Sequence, residues 1–334
     1  LKTATSCGLR ALLLLALLAL PGLARANTPV TLGVVTWIGY GPLYCAAANG
    51  YFAKRGFDVK LVNFSDNAVM PGAVQSGEVD AATLTYDQVV AAVSKGWGIK
   101  VVLPVDYSAG GDAILAAANI AAVKDIKGHK VAYAPLSPSD FLLGYALEKN
   151  GLSPKDITPV NTTAEGVPGI LVGGSADIGV TYEPSVSVIL KSGGGKRYHV
   201  LLSSKEAIGI IVDVLSVTDA TIAKRPKLVD ALIRGYFDGV AFMKSEPDKA
   251  AAIIAKTLDI SPDEAKDQLQ SIQNPTLATA GDVFMKADAL PSFFASGKII
   301  GGILHKEGQI ESEPPIEATF DASFVKAIQA HPGD

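Results

Sequence analysis

The sequence predicts an α/β protein of two lobes, each a central sheet flanked by helices. Three observations carry that expectation. Short β-branched runs alternate with helical segments through most of the chain. A phrase of short helix, glycine and strand occurs twice. The 334 residues, 49% hydrophobic and 19% charged, are enough for two cores rather than one.

Residues 1–26 read as a leader outside that fold. Lys2 and Arg10 precede the apolar run "ALLLLALLAL", Pro21 and Gly22 break it, and "ARA" closes at Ala26. Charge, apolar run and small residues, in that order, make a secretory signal with cleavage expected before Asn27. The apolar run is short for a bilayer span. An uncleaved anchor is the alternative, and a lipoprotein is disfavoured because Cys7 precedes the run. The leader holds three of the 29 basic residues and none of the 33 acids, so its removal leaves a net charge of −7. Cys45 is then the sole cysteine and cannot form an internal disulfide. The expected product is exported, soluble and mildly acidic. It has no clustered basic face of the kind that nucleic acid requires.

The elements follow in order. "VTLGVVTW" from Val30 is a strand, and Pro42 suits the first turn of a helix through Asn49. "DVKLVNF" is a second strand, and a short helix over 69–76 stops at Gly77. "VDAATLT" is a third strand. A helix over 86–95 follows, with Asp87 in its first turn, where the helix dipole favours an acid. "IKVVLPV" is a fourth strand, ending in "VDYSAGGD". This alternation predicts a parallel sheet covered on both faces. Strand "HKVAYAP", a helix over 140–149, strand "ITPVNT", a helix over 167–172 and strand "ADIGVTYEP" repeat the scheme. Gly56 to Asp80 and Gly151 to Asp177 have similar spacings, about 24 and 26 residues, which fits two lobes of one design. After "IGIIVDVLSV", helices are expected over 227–244, 247–257, 263–272 and 322–330, with mixed sequence before the last.

"GPLYCAAANGYFAKRGFDVKLVNF", "AVQSGEVDAATLT", "VKDIKGHKVAY", "ALEKNGLSPKDITPVN" and "TYEP" together resemble the nitrate/sulfonate/taurine and thiamine-pyrimidine family of bacterial ABC-importer binding proteins. The resemblance spans about Val30 to Thr257. It implies a periplasmic-binding-protein type II fold that closes on a small molecule, and a membrane permease as partner. Residues 27–107 plus 216–334 would form one lobe and 108–215 the other. The chain would cross between them near Val105 to Gly111 and near Val212 to Val217. Gly110 and Gly111 would let the first crossing turn. A monomer without cofactor or metal is expected.

Ligands of open α/β sheets collect at the carboxyl ends of strands. Trp37 and Tyr40 follow the first strand, Thr85 and Asp87 the third, Asp106, Tyr107 and Asp112 the fourth. Ser137, Ser139 and Glu183 follow strands of the second lobe, and Asp213 interrupts the apolar "IIVDVL" of the second crossing. Each has a structural alternative: aromatic packing for Trp37 and Tyr40, helix-start roles for Asp87, Ser137 and Ser139, and a solvated strand end for Glu183. Asp112 has the alternative of a surface turn. A charge inside an apolar strand is paired or faces a cavity, which singles out Asp213. Few Lys or Arg fall at these ends, whereas a bare anion would want amide donors and Arg. Acids with aromatic walls suit an amine, amidine or guanidinium group, or a zwitterion such as taurine. The four histidines show no ligand spacing and none pairs with Cys45, which disfavours metal and cysteine chemistry. A pyrimidine-precursor binder, or an enzyme of thiamine-pyrimidine metabolism on this fold, is the alternative function.

Overall fold

The computed structural model describes residues 26–333. The expected leader, except Ala26, lies outside them. The described chain begins with β1 (Thr28–Val34), α1 (Gly41–Ala48), β2 (Phe57–Asn63), α2 (Met70–Ser76), β3 (Ala81–Thr85), α3 (Tyr86–Ser94) and β4 (Ile99–Ser108). Then come β5 (Asp112–Ala117), β6 (Lys130–Tyr133), α4 (Pro138–Lys149), β7 (Thr158–Asn161), α5 (Val167–Val172), β8 (Ile178–Tyr182), α6 (Ser185–Lys191) and β9 (Tyr198–Ser203). The last part is β10 (Val212–Thr218), α7 (Asp219–Lys224), α8 (Pro226–Ser245), α9 (Pro247–Leu258), α10 (Pro262–Leu269), β11 (Ile272–Gln273), α11 (Phe293–Lys306) and α12 (Ser323–Ala330).

The strands form two sheets, β2-β1-β3-β10-β4-β11 and β7-β6-β8-β5-β9. The two have the same plan. Three parallel strands are followed by one that runs against them, β10 in the first sheet and β5 in the second. A strand parallel to the first three then flanks the reversed one, β4 or β9. The helix–glycine–strand repeat is thus α2 into β3 and α5 into β8, at equivalent places in the two sheets. An all-parallel sheet is not what forms. Each reversed strand is the first that the chain makes on entering a sheet, and a chain arriving from the other lobe enters from the opposite end.

Sheet membership also moves the crossings. β4 continues through Val105 to Ser108, so the first crossing is only 109–111. There Gly110 has φ +128°, a conformation side chains resist. Val212 to Val217 are no crossing at all. They lie inside β10, buried between β3 and β4. The return passes through 204–211 instead. The two crossings are stitched together: Ser108 N–H donates to Ile211 O (3.2 Å), and Gly110 N–H to Ser204 Oγ (2.8 Å).

α8 and α9 pack on α1, so the chain's late helices cover the first sheet. Helix α11, absent from the sequence expectation, packs on α3 of the first lobe and α4 of the second. The helix expected over 263–272 ends at Leu269, and Ile272 and Gln273 join β4 as an edge strand instead.

Candidate functional site

Register places three polar residues in a row. Thr85 of β3 pairs with Asp213 of β10, and Asp213 pairs with Asp106 of β4. Directly paired residues leave a sheet on the same face, so this rank stands together at the carboxyl ends of β3 and β4. The turn after β1 lays two aromatics over it. Trp37 Nε1 donates to Asp106 Oδ2 at 3.1 Å, and Tyr40 OH donates to Asp213 Oδ1 at 2.5 Å.

The second sheet supplies the opposing wall. Asp112 of β5 pairs with Tyr182 of β8, again on one face. The Tyr182 ring meets Trp37 edge-on, centroids 5.6 Å apart. Its hydroxyl crosses the gap and donates to Asn67 Oδ1 at 2.9 Å. Gln88 Nε2 also crosses, donating to Leu136 O at 3.4 Å and, on its own side, to Asn67 O at 2.8 Å. Leu136 is held at φ +56°, unusual for a bulky residue and found where surroundings over-determine the backbone. The enclosed cavity is about 10 Å³, space for about one water molecule. This is a shut crevice, and an organic solute enters only if its walls part.

The acids here are held neutral-leaning. Burial, then repulsion from Asp112, pushes Asp106 well above the usual carboxylate range. Burial, with a contribution from Asp87, pushes Asp112 to about 7 against a Ser108 hydrogen bond. Burial and then the Asp106 charge raise Asp213 well above the carboxylate range. Among the described residues no Lys, Arg or His lines the cavity. Two buried oxygens, Asp106 Oδ1 and Thr85 Oγ1, have no hydrogen-bond partner.

Of the expected site residues, Trp37, Tyr40, Thr85, Asp112 and Asp213 line the crevice, and Asp106 lies just beneath its floor. Asp87 and Ser137 line a neighbouring hollow of about 70 Å³ between α3 and α4. There burial pushes Asp87 to about 6. Ser137 serves as the cap of α4, accepting from Ser139 N–H at 3.1 Å. Ser139 is buried in the first turn of α4, its Oγ unpartnered. Tyr107, one step beyond Asp106, is turned by strand alternation to the other face of β4. Glu183 does not join the acids. Its carboxylate accepts from Ser187 N–H (3.0 Å) and Ser187 Oγ (2.9 Å), capping α6.

Asn67, Gln88 and Pro138 also line the crevice, without having been singled out. Asn67 follows the second strand, so the same strand-end rule applied there reaches it. Gln88 was legible as the fourth residue of "TYDQ", which has capping-box spacing, and of that box only the Gln88 half forms, Gln88 Oε1 accepting from Thr85 N–H at 3.2 Å. Larger hollows, about 760 Å³ beside Arg55 and Lys227 and about 440 Å³ between α4 and α11, hold none of the expected residues. Among the described residues no cluster of His, Cys, Asp and Glu is arranged for a metal ion, and no helix is long and apolar enough to cross a membrane.

The sequence profile of the family described as NMT1/THI5 like matches residues 37–250, which include Trp37, Asp106, Asp112 and Asp213. The chain belongs to the NMT1/THI5-like family. Among its relatives is the riboflavin-binding protein RibY of Chloroflexus aurantiacus, 28% identical over 218 residues, 64% of this chain and 61% of RibY. The taurine-binding periplasmic protein of Escherichia coli is 25% identical over 212 residues, 62% of this chain and 64% of that protein. The chain therefore matches about three-fifths of the length of these relatives. The periplasmic aliphatic sulphonate binding protein SsuA of Escherichia coli superposes with a TM-score of 0.69, over 88% of this chain and 97% of SsuA. At 19% identity that likeness bears on the fold alone, and it is a two-lobed α/β binding-protein fold. These NMT1/THI5-like and SsuA-like relatives are named as binding proteins rather than enzymes.

Proposed function

We propose that this NMT1/THI5-like protein is an exported solute-binding protein that closes on a small nitrogen-containing organic solute, cationic or zwitterionic, and delivers it to an ABC-type importer. The observation that carries the ligand class is the buried trio Asp106, Asp112 and Asp213 under aromatic walls, with no cationic side chain lining the crevice. An amine, amidine or guanidinium group supplies the missing positive charge and can stack on Trp37 or Tyr182. The periplasmic setting is supported by the names of the taurine- and sulphonate-binding relatives.

A zwitterion such as taurine is the second reading. Pro138, at the first turn of α4, lines the crevice, so the positive end of a 12-residue helix starts at its wall and suits a sulfonate or carboxylate. The test is a melting-temperature screen of the protein without residues 1–26 against amines, guanidines, pyrimidines, sulfonates and nitrate. A ligand that prefers the folded state raises the midpoint. Hits are expected among nitrogenous cations or zwitterions and none with nitrate. A response to nitrate alone would overturn the reading.

A further inference from the structure

Two carboxyl groups lie side by side at the crevice, Asp213 in its lining and Asp106 just beneath its floor, and among the described residues no Lys, Arg or His lines it. Asp106 and Asp213 are register partners, so both point to one face of the sheet. Asp106 is wholly buried and Asp213 is 4% exposed. The sequence keeps space for them: a Cβ at Gly39 would stand 2.2 Å from Asp106 Oδ2. Each carboxyl has one fixed neutral donor, Trp37 or Tyr40, and Asp106 Oδ1 has none.

The polar groups around the pair come from several elements. The turn after β1 brings Trp37 and Tyr40, α1 brings Tyr44, β5 brings Asp112, and the first turn of α3 brings Asp87. Helix α8 brings Tyr236, whose hydroxyl donates to Val105 O, and Tyr107 stands next on β4. Every one is a neutral donor or another acid. Thr85, the third member of the rank, is 4% exposed, lines the crevice and leaves its Oγ1 unpartnered, so the rank presents unused hydrogen-bonding capacity to whatever enters. Two ionised carboxylates this close and this dry repel each other by more than two neutral donors return.

We infer that Asp106 and Asp213 hold one proton between them in the solute-free protein, and that a positively charged solute takes the place of that proton, so that capture of each cation releases one proton to solvent. The inference rests on the cationic reading of the solute given above. Charge is conserved through the exchange: the pair carries −1 with its proton, and −2 compensated by +1 with the solute. The raised titration of both groups, driven first by burial, runs in the direction a shared proton needs. Apparent affinity for a cation then falls about tenfold per pH unit of acidification below the titration of the pair.

A pH-stat titration of the protein without residues 1–26, in unbuffered solution at neutral pH, counts the protons as methylguanidinium, choline or putrescine chloride is added. The expected result is about one proton released per cation bound, and none in Asp106→Asn. Binding without release overturns the inference and leaves the cationic ligand class standing. A second measurement needs no solute. The infrared difference between wild type and Asp106→Asn/Asp213→Asn is expected to show a protonated-carboxyl C=O band that the double variant lacks, with melting curves reporting that the variant is folded. Absence of that band overturns the inference alone. The band without binding of any of the three cations overturns the exchange together with the ligand class.

Discussion

The proposed site turns on Asp213, and the chain marks it plainly: an acid inside "IIVDVL", an otherwise apolar central strand. A buried carboxyl there must be hydrogen-bonded, paired or neutralised, and Tyr40 supplies one donor. With the solute that a melting screen selects, Asp213→Asn is expected to weaken binding by about 2 kcal/mol or more, at least about thirtyfold by calorimetry. Wild-type affinity would remove Asp213 from the site. The acids also set a pH dependence. Burial holds Asp106 and Asp213 above the usual carboxylate range and pushes Asp112 up to about 7 in the folded chain, against about 4 for a free aspartate. Between those values the folded chain keeps protons that the unfolded chain has lost, so stability falls as pH rises from about 4 through about 7. The solute-free melting temperature should drop across that window, less steeply in Asp106→Asn. A melting temperature rising from pH 5 to pH 8 in wild type and variant alike would contradict the account. Glu183 was not legible in the same way. Nothing in "TYEPSVS" shows whether the carboxyl looks outward or back to Ser187, and the local bond wins because it needs no partner from elsewhere.

At the scale of elements, Glu183 holds the first turn of α6 through Ser187. Glu183→Ala removes the acceptor of Ser187 N–H in the first turn of α6, and caps of this kind contribute about 1 kcal/mol. Chemical denaturation should show a loss of about that size with solute affinity nearly unchanged. A large affinity loss at unchanged stability would return Glu183 to the site. Most strands and helices were legible from β-branched runs and from proline and capping signals, as at α10, where Ser261 and Glu264 cap each other. Three features were not. The length of β4 was hidden because "VDYS" reads as a polar break, although its acid faces a buried crevice. The reversal of β5 and β10 was hidden because strand direction depends on where the chain comes from, not on local composition. Helix α11 was hidden because "FFASGKIIGGILHK" carries three glycines, which lower helix propensity. Those glycines allow close packing instead, as at Gly297 beside Ile316 and Tyr86.

The whole molecule is two sheets of one plan joined by two short, mutually bonded crossings, with α11 lying across both lobes on one side. Tyr182 to Asn67 and Gln88 to Leu136 hold the crevice shut from within. A cavity of about 10 Å³ cannot admit an organic solute, so the proposed capture needs the crevice to open and close again, with the crossings as its proposed hinge. Small-angle scattering should show a larger solute-free radius of gyration in Tyr182→Phe than in wild type, and solute should return the variant to the wild-type value. Equal radii in all three states would argue against a moving crevice. The most direct test of the central claim is a crystal structure of the protein with the solute chosen by the melting screen. The account predicts its positively charged nitrogen within hydrogen-bond distance of Asp213 or Asp112, beneath Trp37 and Tyr182. A solute seated elsewhere, or one that turns an anionic group toward those two carboxylates, would contradict it.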